Sequence, residues 1–413
     1  MGQENNVRDT SGPKGGRMLQ TDTKGKSQTE EEIKELVKPS KQMEVVDEAT
    51  AVHFPEEILG DILSRLTVRS LLRFECVSKF WNTLISKPYF KTKHLNHAKN
   101  DQNSQKFLIC QKCPKDRIFS MCCCPLSSVQ LVEDVQKLDC PSNSRPGYCE
   151  INCFCNGLAI ITVDNILDAT RILLLWNPST RESIVLPNPQ FSAEEFSCFG
   201  LAYDSTSGDY KILIIHDIEY HGGFRLPSEI LALKSGLWRK IDKHPCGSHN
   251  VLSGMHSLAF VHEAFHWIGK TKGNYFVVSF GISNEVYGEI PLPLEICLLS
   301  DINVGVSVLE GMLCAYSTYE SHQGEGTFKL WVMKDYHIKE SWNALFTIRI
   351  SEIYVAVLKY RFADGELLFW CIHYQCGTNV FRTSREPSVL WPRGGGQKGF
   401  AFTESLISPK LLT

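Results

Sequence analysis

The 413-residue sequence has no long apolar run, no excess of charge of one sign and, in its first fifty residues, no aromatic side chain. Each absence excludes something. No stretch reaches the ~20 consecutive apolar residues of a bilayer-spanning helix, so no membrane partner is expected. The N-terminus lacks the apolar centre of a secretory signal, and Asn6 stands where a myristoylation signal places Ser or Thr. Lys and Arg (43) nearly balance Asp and Glu (46) and form no basic stripe, which argues against a nucleic-acid partner. There is no G-x-S-x-G elbow and no Walker loop, and Gly394-Gly395-Gly396 lacks the strand–loop–helix setting that cradles phosphate. The expected location is the cytoplasm, the nucleus or both, with the 16 cysteines mostly reduced.

What is present divides the chain into three. Residues 1–50 carry too little apolar surface to offset the entropy of ordering and read as a disordered leader, with a short helix conceivable at Glu30–Lys38. Residues 51–95 are helical in pattern. Ile58, Leu59, Ile62, Leu63 and Leu66 form one stripe of a first helix, with Pro55 suited to its first turn. Ser70 is placed to cap a second helix through Leu71, Leu72 and Phe74. A third carries Cys76, Val77, Phe80, Trp81, Leu84 and Ile85, and Pro88 helps to end it. Three such helices make a poor independent core, so a partner or the next domain must cover part of their apolar surface.

Residues 105–410 read as short strands between turns. Five turns recur: Asn156-Gly157, Ser207-Gly208, His262-Glu263, Glu310-Gly311 and Asp364-Gly365. Their spacing is roughly fifty residues, the period of four-stranded, kelch-like propeller blades. An apolar run follows each turn, and a further strand pair often comes next, as in Ile172–Trp176 with Ile184–Leu186. The fold class is therefore α+β multidomain, a three-helix unit followed by an all-β, propeller-type repeat domain.

Two clusters raise metal chemistry. His262-Glu263-Ala264-Phe265-His266 is an H-E-x-x-H string, which on a helix would present two zinc ligands and a general base, a zinc hydrolase. Its flanks read as strands, so His262 and Glu263 occupy a hairpin turn and a chance match is expected. The cysteines between Cys110 and Cys155 include Cys110-x-x-Cys113 and Cys122-Cys123-Cys124. Four thiolates would hold zinc, but strand alternation sends Cys123 to the face opposite Cys122 and Cys124. Neither a metal nor another cofactor is expected.

Phe54-Pro55-Glu56-Glu57-Ile58-Leu59, Ile62-Leu63-Ser64-Arg65-Leu66 and Ser70 to Trp81 resemble the F-box in its plant form. Thr67 replaces its usual proline, Glu75 stands where a basic residue is common and Phe80 replaces a small polar one, leaving the apolar footprint in place. Leu175-Trp176-Asn177-Pro178-Ser179-Thr180-Arg181-Glu182 resembles the signature of the plant F-box-associated domain. So do Phe199 to Asp204 with Asp209-Tyr210-Lys211, Phe265-His266-Trp267 and the closing Thr403-Glu404-Ser405-Leu406. Arg393 to Gly399 stands where the family has a strand or tight loop, which leaves the closure of the last blade open.

The resemblance implies a non-catalytic substrate-recognition subunit of an SCF-type ubiquitin ligase. Its F-box would dock on a Skp-type adaptor, and through it on a cullin scaffold, while the β-domain holds a protein target. Pro55, Ile58, Leu59, Leu63, Leu71, Cys76, Val77 and Trp81 are the residues expected to make or frame the adaptor contact. The bland alternative is that this stripe only packs the helices against the β-domain. An F-box protein acting outside ubiquitin transfer is the alternative function.

Overall fold

In a computed structural model of the protein, the described residues are 54–112, 119–128, 135–141, 146–165, 170–190, 197–216, 219–220, 224–242, 244–245, 249–252, 257–271, 274–297, 302–320, 325–351, 353–373, 377–383 and 396–413. The expected leader, with Glu30–Lys38, lies outside them.

Four helices open the described chain where three were expected: α1 (Glu56–Leu63), α2 (Val68–Glu75), α3 (Lys79–Ser86) and α4 (Pro88–Asn100). The cap of α2 is Thr67, not Ser70: the Thr67 side chain accepts from the Ser70 amide, and Ser78 caps α3 in the same way through Trp81. Pro88 starts a helix as well as following one, since its missing N–H costs nothing at the first position. Leu63, Val68, Leu71, Leu84, Ile85 and Phe90 form the core of the unit, and His94 Nε2 donates to the Leu66 carbonyl at 2.9 Å. Leu406, from the far end of the chain, joins that core.

Among the described residues the strands form six antiparallel sheets, with a separate two-stranded hairpin at 219–225. Blade 1 runs Pro146–Cys155, Leu158–Asn165, Thr170–Asn177 and Glu182–Leu186. Blades 2 to 5 begin with inner strands Ser197–Asp204, Ala259–Val261, Ile302–Leu309 and Ile353–Arg361. The sixth is composite: Gly396–Thr403 pairs with Gln105–Lys112, which pairs with Phe119–Pro125 and then Gln136–Leu138. Each inner strand touches the next around the ring, from blade 6 through blades 1 to 5 and back, so the propeller is closed.

The five recurring turns all join the first and second strands of blades 1 to 5. Asn156-Gly157, His262-Glu263 and Glu310-Gly311 have positive φ at both residues, the backbone that matches the twist of a tight hairpin. Blade 6 has no such turn, because there the two ends of the domain meet: Thr403 pairs with Gln105. Gly396 to Gly399, the described part of the glycine-rich run left open by the sequence, begin this closing strand. A Cβ on Gly399 would lie 2.4 Å from the Phe107 ring, so glycine permits the buried Phe107 to pack at the seam. Val389-Leu390-Trp391 lies outside the described residues.

Candidate functional site

Six of the fourteen exposed large apolar side chains of the described residues fall between residues 54 and 89, a density no blade approaches. Ile58 (45% exposed) and Ile62 stand one turn apart on α1, while Val77 (67%) and Phe80 flank the start of α3. Such a concentration marks a surface meant to be covered.

Of the eight residues expected at the adaptor contact, Pro55, Ile58, Cys76 and Val77 are exposed, and Leu59 and Trp81 are half-buried. Leu63 and Leu71 (0% exposed) lie within the helical core and cannot touch a partner. They can only frame the face from below, because the same helical period that exposes one side of α1 and α2 buries the other. Phe54, Ile62, Phe80 and Tyr89 are exposed apolar groups that the eight omitted. Ile62 was signalled by its i+4 relation to Ile58; nothing in the pattern of α4 singles out Tyr89.

This face is tied to the propeller by the C-terminal segment. Asn177, fully buried at the end of the third strand of blade 1, donates through Nδ2 to the carbonyls of Ser405 (3.0 Å) and Ile407 (2.8 Å). Its Oδ1 accepts from the amides of Ser179 (2.8 Å) and Thr180 (3.4 Å). Leu406, held between the two captured carbonyls, fills the helical core. The Asn156-Gly157 turn packs on the same segment: a Cβ on Gly157, at φ +80°, would lie 2.4 Å from Ser405 Oγ. Gln105 completes the junction, donating to the Ala98 carbonyl at the end of α4 and accepting from Thr403 Oγ1. Two of the family runs, Leu175–Glu182 and Thr403–Leu406, therefore meet as one anchor.

The other runs are also structural. Asp204 pairs with Lys211 at 2.8 Å and accepts from Ser283 and Ser207; burial opposes its ionisation, but these contacts prevail and hold the carboxyl well below the usual range. Tyr210 Oη accepts from Asn156 Nδ2, joining blade 2 to blade 1. In blade 3, Trp267 Nε1 donates to Asn250 Oδ1 at 2.9 Å.

The H-E-x-x-H string is split as its flanks implied. His262 and Glu263 are turn residues at φ +51° and +56°, whereas His266 lies in the strand Ala264–Thr271. His266 Nε2 is 2.7 Å from Tyr336 Oη, and burial pushes its pKa down to about 4. His262 stacks on the Tyr336 ring instead of facing His266 across a helical turn. The cysteine strand alternates as expected: Cys124 and Cys122 pack toward the core shared with blades 4 and 5, Cys123 toward that shared with blade 1. Burial pushes the Cys123 and Cys124 thiols up to about 12. Cys113 lies outside the described residues.

A short helical unit with an outward apolar face, anchored to a closed propeller, is the architecture of an adaptor-binding module joined to an interaction domain. Residues 52–93 match the F-box domain, and residues 114–380 match the F-box associated beta propeller domain. The chain belongs to that F-box-associated propeller family. It is 26% identical over 320 residues to F-box protein CPR1 of Arabidopsis thaliana, covering 71% of this chain and 73% of the relative. An F-box/kelch-repeat protein of the same plant is 24% identical over 361 residues, covering 81% and 95%. Among solved structures, TolB from Acinetobacter baumannii aligns with a TM-score of 0.44 at 8% identity, covering 76% of this chain and 73% of TolB.

Proposed function

We propose that this chain is the substrate-recognition subunit of an SCF-type ubiquitin ligase. The helical face seats on a Skp-type adaptor, the adaptor joins a cullin, and the propeller holds a protein target for ubiquitination and degradation by the proteasome. The chain itself performs no catalysis. The observation that carries this reading is the exposed apolar face formed by Ile58, Ile62, Val77 and Phe80 in a segment that matches the F-box. Pro55, Ile58, Cys76 and Val77 make the contact, Leu59 and Trp81 border it, and Leu63 and Leu71 support it from the core.

The target face is the propeller end away from the first-to-second-strand turns, since the turn end carries the helical anchor. Glu219–Pro227, Lys243–Gly254 and Glu320–Thr327 connect strands at that end and are candidates by position; much of each lies outside the described residues. We place this work in the cytoplasm or nucleus, where the proposed ligase role would be exercised and where its 16 cysteines would stay mostly reduced. Imaging a fluorescent fusion tests that location.

The adaptor contact is tested with Ile58→Asp and Val77→Asp, each at an exposed site. Both should abolish capture of a purified Skp-type adaptor while leaving the free energy of urea unfolding within ~0.5 kcal/mol of the parent, as for ordinary surface changes. Equal adaptor capture by parent and variants would remove the assignment. Adaptor capture without cullin in a native purification would point to a role outside ubiquitin transfer.

A further inference from the structure

The chain passes from the outer strand of blade 6, Gln136–Leu138, to the inner strand of blade 1, Pro146–Cys155. Two thiols meet at this passage: Cys140 Sγ lies 3.9 Å from Cys149 Sγ, and neither is in a disulfide. Their settings differ. Cys149 is fully buried in the core that holds Leu108 and Met121 of blade 6 and Ile151 of blade 1. Its backbone is fixed by the strand and by the Cys110 thiol, which donates to the Cys149 carbonyl at 3.2 Å. Cys140 is half-buried and packs against the same core from outside the strands. Closeness in the chain does not by itself bring sulfurs together: Cys122, Cys123 and Cys124 are consecutive, yet they alternate between two cores.

The sulfurs of a disulfide stand about 2.05 Å apart, so an approach of roughly 2 Å separates this contact from a bond. A side-chain rotation at Cys140, in its irregular segment, is enough to supply it. The two settings also divide the chemistry. The hydrogen bond with Cys110 raises the Cys149 pKa, that with Cys140 opposes it, and burial raises it further. Cys149 is therefore kept as a protonated thiol away from solvent, and Cys140 is the sulfur that a small oxidant reaches first. We propose that Cys140 and Cys149 are a redox pair that a hydroperoxide converts to a disulfide, fastening blade 6 to blade 1. With hydrogen peroxide, the Cys140 sulfur attacks the O–O bond and becomes a sulfenic acid, releasing one water. The Cys149 sulfur then attacks that of Cys140; the S–S bond forms, and the departing hydroxyl takes the Cys149 proton as a second water. The two thiols give up two electrons, and the peroxide is reduced by two. The bond closes the segment 140–149 into a loop and so removes freedom from the unfolded chain. The inference does not rest on the ligase reading, since the pair lies in the junction between two blades.

The full-length chain, reduced and desalted, is exposed to hydrogen peroxide in native buffer, and the remaining thiols are then blocked with N-ethylmaleimide in urea. Chymotrypsin cuts after Tyr148, between the two cysteines. The fragments bearing Cys140 and Cys149 should stay joined under non-reducing conditions and separate on addition of dithiothreitol. The oxidised chain should also melt a few degrees above the reduced one, as expected for the closure of a short loop, and dithiothreitol should reverse the gain. Cys140→Ser should lose both the joined fragments and the gain. In dithiothreitol it should melt with the parent, which guards against a merely misfolded variant. An absence of joined fragments from the parent, recovery of Cys149 bonded to Cys110 instead, or a midpoint that oxidation does not raise overturns the proposal.

Discussion

In the propeller, Trp176, Trp267, Tyr316, Phe107 and Phe369 are fully buried, whereas Phe54, Ile58, Ile62, Val77, Phe80 and Tyr89 face outward from the helices. The difference follows from closure. Each blade has a neighbour on both sides, so both faces of its sheet find a partner within the chain. The helices are short, and their core borrows Leu406 from the last residues of the chain. A unit of that size cannot cover all of its apolar side chains, and what it leaves exposed is what a second polypeptide can use.

The largest expected effect tests the joint between the two regions. Asn177→Ala removes five hydrogen bonds and leaves two carbonyls, the Ser405 hydroxyl and two amides without this partner. At 1–3 kcal/mol per unsatisfied buried group, with partial relaxation, a loss of about 4 kcal/mol in urea unfolding is expected. Leu406→Ala should cost about 3 kcal/mol as a buried leucine truncation, and both variants should expose the C-terminal segment to protease. If Asn177→Ala changes neither stability nor cleavage, the helices are not fastened to the ring in this way.

The propeller's own burial is tested by pH. His266 has its pKa pushed down to about 4 by burial, against 6.5 for an ordinary histidine. The unfolded chain therefore takes up this proton first as the pH falls. The stability contributed by neutral, buried His266 is complete above pH 6.5, declines between 6.5 and 4, and is gone below. The difference amounts to roughly 3 kcal/mol across that window. Comparing urea midpoints at pH 7.5 and 4.5 in the parent and in His266→Gln isolates it, since the variant should lose this share of the pH dependence. An unchanged dependence would mean that His266 is hydrated.

Trp81 stands at the border of the two regimes. It packs against Phe74 at 5.8 Å and Phe80 at 5.4 Å while remaining partly exposed. Trp81→Ala should therefore lower stability by about 2 kcal/mol, less than for a fully buried tryptophan, and also weaken adaptor capture. A change in one readout without the other would assign the ring wholly to the core or wholly to the partner.

The sequence made some of this legible and hid the rest for physical reasons. The five turns mark five blades because a tight hairpin needs particular residues at a fixed place. The sixth blade has no such mark, since its first two strands meet without a connecting turn, through residues almost three hundred positions apart. The runs Leu175–Glu182 and Thr403–Leu406 were visible singly, but the bond from Asn177 to Ser405 spans the whole ring. Among the helices, periodicity revealed the apolar stripe. It could not divide Leu63 and Leu71, which face inward, from Ile58 and Val77, which face outward, because both sides are apolar.

The smallest expected effect compares one turn with its counterparts. Asn156-Gly157 and Glu310-Gly311 place glycine at the second left-handed position, whereas His262-Glu263 holds a side chain there at φ +56°. Left-handed backbone costs a residue bearing a Cβ about 1 kcal/mol that glycine does not incur. Glu263 is exposed, and its carbonyl, which accepts from the Ile282 amide at 3.0 Å, survives substitution. Glu263→Gly should therefore stabilise the chain by about 1 kcal/mol, less the added freedom of the unfolded glycine. His262→Asn relieves the same kind of strain but removes the ring stacked 4.2 Å from Tyr336, so its net effect should be near zero. A higher urea midpoint for Glu263→Gly than for His262→Asn would show that His262 is kept for Tyr336. The reverse order would mean that the strain of this turn resides at its first position.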